Sequence, residues 1–136
     1  MSNIEQTLSI IKPDAVERNL SEEIKNIFKK NNLNIKDSKK IHITKDEAAE
    51  FYKVHQSKPF YNDLCSYLSS GPIVAMVLEG KNAISLNREL MGSTDPKNAK
   101  ENTIRGLYGI SIDKNSVHGS DSPDNAKKEI EFFFKD

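Results

Sequence analysis

One stretch of the sequence limits the fold more than any other, namely the six consecutive apolar residues Ile73–Leu78 between Gly71-Pro72 and Glu79-Gly80. An apolar run of this length, without polar alternation, is typical of a fully buried strand. It therefore predicts a central strand, and the remainder of the chain has to supply the strands and helices that cover it.

The segments around this run alternate between strand and helix patterns. Thr7–Ile11 has the pattern of a strand that ends before Pro13, and the apolar residues from Leu33 to Ile43 alternate with polar ones as in a half-exposed strand. Helices are predicted after the caps Ser21, Thr44 and Ser122, over Phe60–Leu68, and over Lys81–Met91 with Gly92 as the C-cap. With a short strand before the last helix, the order is βαββαβ. It predicts an α+β sandwich, a four-stranded antiparallel sheet with helices packed on it, as a single domain over residues 1–136.

Composition excludes several classes of protein. The chain contains 20 Lys+Arg and 20 Asp+Glu, so it lacks the basic excess of a nucleic-acid or anionic-membrane binder. It shows no apolar run of membrane-spanning length and no secretory signal, and its one cysteine, Cys65, leaves no internal disulfide. We therefore expect a cytoplasmic protein with no membrane partner and no specific nucleic-acid partner. The G-x-x-x-x-G-K-[ST], G-x-G-x-x-G, H-E-x-x-H and G-x-S-x-G motifs of other enzyme classes do not occur.

The three histidines differ in their surroundings. His42 lies on the polar side of a strand pattern, which predicts an exposed side chain, whereas His55 lies on an apolar helix face, where a core position and a catalytic one are both open. His118 stands between Val117 and Gly119 within a run of small polar residues, and the glycine gives this segment additional backbone freedom. Either the segment is a turn into the last helix, or His118 is a reactive imidazole.

Arginine is rare in this chain, since Arg18, Arg88 and Arg105 are the only three among 20 basic residues. Because lysine is the usual surface cation here, an arginine is expected where its planar, bidentate group is needed. Arg88, at the edge of a helix's apolar stripe, and Arg105, in the irregular segment 93–116, fit either a phosphate clamp or a structural ion pair. Lys12, between a strand and a proline, is either a phosphate contact or a solvated lysine.

Two aromatic residues and one carboxylate also have two interpretations. Tyr52 and Phe60 would ordinarily be core residues, but Phe60 follows a loop that ends in a proline, where its ring is also placed to face a ligand. Glu129 flanks the apolar stripe of the last helix. From there its carboxylate either accepts a hydrogen bond from His118, which would fix the tautomer of the ring, or is simply solvated.

Several motifs of this sequence together resemble the nucleoside diphosphate kinase family. They are Lys12-Pro13-Asp14, Arg88, Gly92-Ser93-Thr94-Asp95-Pro96, Thr103-Ile104-Arg105 and the segment Asn115–Ser122 around His118. The resemblance extends from about Glu5 to Phe134. It implies a ferredoxin-like fold and a magnesium-dependent kinase that forms a homo-oligomer, a tetramer or hexamer built from dimers. It also implies ping-pong transfer of the γ-phosphate of a nucleoside triphosphate, chiefly ATP, to a nucleoside diphosphate, with broad tolerance for base and sugar.

The resemblance assigns a role to each candidate residue. It implies that His118 is the nucleophile and becomes a pros-phosphohistidine. The other catalytic residues that it implies are Lys12, Tyr52, Ser120 and Glu129. The nucleotide-binding residues that it implies are Lys12, Phe60, Arg88, Thr94, Arg105 and Asn115. The implied cofactor is Mg²⁺, held mainly by the phosphates of the nucleotide, with Asp121 as a contact through water and no direct protein ligand.

Three positions depart from the usual residues of that family. Ser21 and Asn102 stand where glycines are common, and Leu107 stands where an aspartate is common. None of them is an implied site residue, and Leu107 bears on the stability or assembly of its loop. The alternatives to an enzyme are a binding or regulatory module that has kept the fold without catalysis and a nucleotide-binding scaffold with another role. The presence of the motif histidine and of all the phosphate cations favours the enzyme.

Overall fold

Four antiparallel strands form the centre of the protein. The structure is a computed structural model and describes residues 4–53, 56–59, 61–93, 96–109, 116–120 and 122–134. The strands are β1 (Ile4–Ile11), β2 (Asn34–Ile41), β3 (Ile73–Lys81) and β4 (Val117–Gly119), in the order β2-β3-β1-β4. The apolar run lies in β3, which pairs with β1 on one side and β2 on the other. The prediction of a central strand is therefore confirmed.

Seven α-helices of the described residues pack on this sheet. They are α1 (Pro13–Glu17), α2 (Ser21–Lys30), α3 (Lys45–Phe51), α4 (Tyr61–Leu68), α5 (Ala83–Met91), α6 (Ile104–Tyr108) and α7 (Pro123–Phe134). A 3₁₀ turn, Pro96–Asn98, lies between α5 and α6. No helix within the described ranges combines the length and the apolar character that crossing a membrane requires.

The sheet separates two hydrophobic clusters. One contains Phe28 of α2 and Met91 of α5, and the other contains Ala48 of α3, Leu68 of α4 and Phe133 of α7. Neighbouring residues of a strand contribute to opposite clusters because side chains alternate between the faces of a sheet. The layers of helix, sheet and helix confirm the predicted α+β sandwich on a four-stranded antiparallel sheet.

Two of the three predicted N-caps are confirmed. The Thr44 hydroxyl accepts from the Glu47 N–H at 3.1 Å and the Glu47 carboxylate accepts from the Thr44 N–H at 2.9 Å, which is a complete capping box. Ser122 Oγ accepts from the Asn125 N–H at 3.2 Å. The third cap, Ser21, is wrong. Leu20 is the N-cap of α2, because its N–H bonds to the Ala15 carbonyl at 3.0 Å and so brings the chain into the helix one residue earlier.

The boundary between β3 and α5 also differs from the prediction. Strand β3 continues to Lys81, which pairs with Ile4, so β1 begins earlier and α5 begins later than the sequence indicates. Asn82, with φ of 52°, makes the turn from the strand into the helix at Ala83. Gly92 is the C-cap of α5 as predicted, with φ of 84°.

Candidate active site

His118 occupies the middle of the short edge strand β4. It pairs with Ile10 of β1, and its ring meets the edges of two aromatic rings at the end of α3. The centroid of the His118 ring lies 5.3 Å from that of Phe51 and 6.5 Å from that of Tyr52. The side chain of His118 is 22 % exposed, so the imidazole is braced on one side and still open to a ligand.

A carboxylate from α7 orients this imidazole. Glu129 Oε1 lies 3.1 Å from Nε2 of His118 and accepts a hydrogen bond from Ser120 Oγ at 2.7 Å. Ser120 Oγ accepts in turn from the backbone N–H of Leu8 at 3.3 Å. Because an ionised carboxylate only accepts, the proton of the neutral imidazole belongs on Nε2, and the lone pair of Nδ1 remains available.

Tyr52 lies beside this group, against the ring of Phe51, and is buried. Burial raises the pKa of the Tyr52 hydroxyl above its usual range, and the nearby Cys65 and Glu129 raise this pKa further. The hydroxyl therefore stays protonated at neutral pH. It is a hydrogen-bond donor beside His118 and not a base.

Lys12 lies where β1 ends, next to the start of β4. Its backbone N–H donates to the Ser116 carbonyl at 2.8 Å, and its own carbonyl accepts from the N–H groups of Ala15 and Val16 at 3.0 and 3.1 Å. Only 6 % of Lys12 is exposed. The main chain of Lys12 is thus fixed and the residue is buried, at the end of the strand next to the one that carries His118.

Arg105 of α6 is a second cation close to β4. Its Nη1 donates to the Gly92 carbonyl at 3.1 Å and its Nη2 to the Val117 carbonyl at 2.9 Å. Burial lowers the pKa of Arg105 to about 10, with the charge of Arg88 acting in the same direction and Tyr52 opposing it. The guanidinium remains charged at neutral pH. Because the positive charges of Arg88 and Arg105 repel each other, an anion that contacts both is stabilised there.

The other predicted site residues lie outside the described residues, and their roles stay predictions. These residues are Phe60, Thr94, Asn115 and Asp121. His55 also lies outside them, whereas His42 is exposed as predicted, with Nε2 2.7 Å from the Ser69 carbonyl. Within the ranges that the structure describes, no three His, Cys, Asp or Glu side chains come together as a metal site.

The sequence patterns missed a polar cluster at the entry to β4. Arg18 Nη2 donates to Asp14 Oδ2 and to Ser116 Oγ, each at 3.3 Å, and also to the Tyr108 carbonyl. The Tyr67 hydroxyl donates to Asp14 Oδ1 and accepts from the Asp14 N–H at 2.8 Å. The rarity of arginine pointed to Arg18, but no local pattern marked Tyr67. The cluster holds the residue that leads directly into β4.

Comparison with known proteins identifies one family along nearly the whole chain. The family model described as nucleoside diphosphate kinase matches residues 5–136. The nucleoside diphosphate kinase of Nitratiruptor sp. is 58 % identical over 131 residues, 96 % of each chain. That of Persephonella marina is 52 % identical over 132 residues, 97 % of this chain and 94 % of the relative. The crystal structure of the Aquifex aeolicus nucleoside diphosphate kinase matches with a TM-score of 0.96 at 43 % identity, over 97 % of this chain and 96 % of that one.

The ferredoxin-like α+β fold of these kinase structures is thus the fold of this chain, as predicted. The chain belongs to the nucleoside diphosphate kinase family, and it is accordingly an enzyme, a phosphotransferase.

Proposed function

We propose that this enzyme transfers the γ-phosphate of a nucleoside triphosphate, chiefly ATP, to a nucleoside diphosphate by a ping-pong mechanism through a phosphohistidine on Nδ1 of His118. The observation that carries this mechanism is the contact between Glu129 Oε1 and Nε2 of His118. It directs the proton to Nε2 and leaves Nδ1 as the nucleophile. Family membership supports the class of substrate.

Each half-reaction exchanges one bond to phosphorus for another. The Nδ1 lone pair attacks the γ-phosphorus, and a P–N bond forms while the bond to the β,γ-bridging oxygen breaks and the nucleoside diphosphate leaves with that electron pair. A terminal β-phosphate oxygen of the acceptor then attacks the same phosphorus, and the P–N bond breaks to return the neutral imidazole. Glu129 accepts from the Nε2 proton throughout and so offsets the positive charge of the phosphorylated ring.

The nearby cations suit the charge of the transferred group. Phosphoryl transfer is catalysed mainly by positioning and by electrostatic stabilisation of the phosphate oxygens. Lys12 and Arg105 have fixed positions beside β4, and Arg88 lies close enough to Arg105 to lower its pKa. We assign the phosphate contacts to these three residues, together with Thr94.

Mg²⁺ suits this site as an ion bound to the phosphates of the nucleotide. The Glu129 carboxylate, which contacts His118, already accepts from Ser120 and His118, and Lys12 and Arg105 beside β4 are cations, so the phosphates themselves are the suitable ligands. When bound, the ion neutralises part of the phosphate charge. Asp121 keeps its predicted contact through water, and Asn115 its predicted contact with the nucleotide.

We also propose broad base tolerance, a homo-oligomer and a cytoplasmic location. Stacking of a base on Phe60 is worth about 1–3 kcal/mol and depends little on which base it is, so the enzyme would equalise nucleotide pools.

An assembly from dimers, as a tetramer or hexamer, is consistent with the largely exposed edge strand β2. Light scattering coupled to size-exclusion chromatography measures the assembly directly. The lone Cys65 is in keeping with a reducing compartment.

The decisive experiment separates the two half-reactions. The protein is mixed with γ-labelled ATP and Mg²⁺, freed of nucleotide, and then given GDP. We expect acid-labile, alkali-stable label on the protein that passes to GDP, and no label on His118→Ala. His42→Ala is the matched control, since His42 is exposed and bonded to a backbone carbonyl, and it should be labelled normally. Acid-stable label that survives in His118→Ala would assign the chemistry to a hydroxyl instead.

A further inference from the structure

Asn87 is a buried polar residue of α5 that the proposed mechanism leaves unused. It has no exposed surface, and both carboxamide atoms, Oδ1 and Nδ2, have no hydrogen-bond partner in the part of the chain that the structure describes. Buried polar groups nearly always have partners, because leaving them unpaired costs free energy. A carboxamide that stays unpaired at this place lowers stability relative to an apolar residue of the same size.

The carboxamide lies directly behind the strand that carries His118. A Cβ on Gly119 would overlap Asn87 Nδ2 and come within 2.7 Å of Met91 Cε, so α5 packs against bare backbone of β4. Because side chains alternate along a strand, Gly119 faces α5 while His118 faces Glu129 on the other side of the sheet. Asn87 thus supports β4 from the rear, one residue away from the proposed nucleophile.

A second unpaired polar group borders the same space. Ser9 of β1 lies directly opposite Gly119, is fully buried, and its Oγ has no hydrogen-bond partner among the described residues. Opposite residues of antiparallel strands have their Cβ positions about 4.5–5.5 Å apart on the same face. The Asn87 carboxamide thus takes the place of the missing side chain of Gly119, and the Ser9 hydroxyl lies beside that place. The two groups are not bonded to each other directly in this structure, and one ordered water between them would satisfy both.

We propose that Asn87 is a positioning residue, which together with Ser9 sets the distance between α5 and β4 and thereby the place of His118 relative to Arg88. The inference rests on the proposed function, because it concerns the spacing of two groups that act in it. Asn87 immediately precedes Arg88 on α5, and Gly119 immediately follows His118 on β4. One packing contact therefore links the proposed phosphate cation to the proposed nucleophile. A misplacement of about 1 Å in such a link can cost up to about a hundredfold in rate.

The test compares Asn87→Leu and Ser9→Ala with the control Thr7→Val. Leucine keeps the approximate size of asparagine without its polar atoms. Thr7 is a matched control because it is fully buried on the same face of β1 and its hydroxyl is likewise unpaired within the described residues, but its partner is Leu78 of β3 and not a residue of β4. Single-turnover labelling with ATP and Mg²⁺, steady-state kcat and KM, and ¹⁵N spectra of the His118 ring are measured for each variant.

Asn87→Leu is expected to fold and to be phosphorylated about tenfold more slowly, with KM within about twofold, because misplacement acts on the transition state. The ring signals of His118 should shift. Ser9→Ala should show a smaller loss in the same direction, and the double variant should be no slower than Asn87→Leu alone, since both groups would act through the same bridged contact. Thr7→Val should keep the rate and the ring signals of the unsubstituted protein.

Wild-type rate and unchanged ring signals in folded Asn87→Leu would overturn the proposal, and so would an equal loss in Thr7→Val. If Asn87→Leu does not fold, the labelling rate and the ring spectra of Ser9→Ala decide. This substitution removes only one atom and should leave the fold intact. Failure of the proposed function gives a different result, in which the unsubstituted protein itself takes up no phosphate on His118.

Discussion

The two faces of β4 are built in opposite ways. On the face toward α7, Glu129 Oε1 joins Nε2 of His118 and Ser120 Oγ in one hydrogen-bonded group. On the face toward α5, a glycine replaces any side chain, and the buried carboxamide behind it has no hydrogen-bond partner among the described residues. The comparison shows two kinds of contact on one strand: hydrogen bonds orient the imidazole on one face, and α5 packs closely against the backbone on the other.

The strongest test of the packed face is Gly119→Ala. The added methyl group would overlap Asn87 Nδ2 and lie 2.7 Å from Met91 Cε, so we expect a loss of about 2 kcal/mol in the free energy of unfolding from overpacking. Urea unfolding measures this loss. Gly71→Ala is the control, because its methyl group would meet only Pro13 Cβ at an ordinary 3.5 Å. Equal stability of the two variants would show that the α5 face is not tightly packed.

The hydrogen-bonded face is tested next by Glu129→Gln. The amide keeps the shape of the side chain but is a weaker acceptor and leaves the ring's tautomer undefined, so phosphorylation should slow by about tenfold or more with little change in nucleotide affinity. Rapid-quench labelling and equilibrium binding separate the two quantities. Glu131→Gln, an exposed change on the same helix, should have no effect. An unchanged rate in Glu129→Gln would remove the orienting role.

Ser120→Ala probes the same face with a smaller expected effect. It removes the donor to Glu129 Oε1 and the acceptor of the Leu8 N–H, and we expect a loss of about 1 kcal/mol in stability and a few-fold slower phosphorylation. Thermal unfolding and single-turnover labelling measure these effects. Ser85→Ala, an exposed change on α5, serves as the control. A loss of stability without any loss of rate would limit Ser120 to a structural role.

The smallest effect is expected at the entry to β4, in Ser116→Gly. Ser116 has φ of 75°, in the left-handed region that glycine adopts freely, so the substitution relieves strain while removing two long hydrogen bonds to Asp14 and Arg18. These changes should offset each other to within about 0.5 kcal/mol. Ser116→Ala keeps the strain and loses the bonds, so chemical denaturation should show it about 1 kcal/mol less stable. A higher stability of Ser116→Ala than of Ser116→Gly would contradict this prediction.

Local patterns predicted much of the fold because they record local interactions. The apolar run gave the central strand, and the capping box at Thr44 gave the start of α3. Ser21 failed as a cap because the turn that ends α1, in which the Leu20 N–H donates to the Ala15 carbonyl, determines where α2 begins. The helices α1 and α6 are only five residues long, too short for a helical period to show in the sequence.

The site was predictable where a motif or a helical spacing marked it, and not where it depends on contacts between distant segments. The segment around His118 and the place of Glu129 on the last helix could be read from the sequence, and the structure contains the hydrogen bond between them. In the sequence, Asn87 and Tyr67 look like ordinary helix residues. Their contacts become visible only in the structure, where Asn87 packs against Gly119 and Tyr67 bonds to Asp14. Such contacts arise only from the packing of the complete sheet.

The position of the phosphoryl group on the ring tests the central claim most directly. ³¹P and ¹⁵N spectra of the protein after reaction with ATP and Mg²⁺ distinguish the two ring nitrogens. Because Glu129 engages Nε2, phosphate should appear on Nδ1 of His118 alone. Phosphate on Nε2, or on any residue other than His118, would contradict the mechanism proposed for this enzyme.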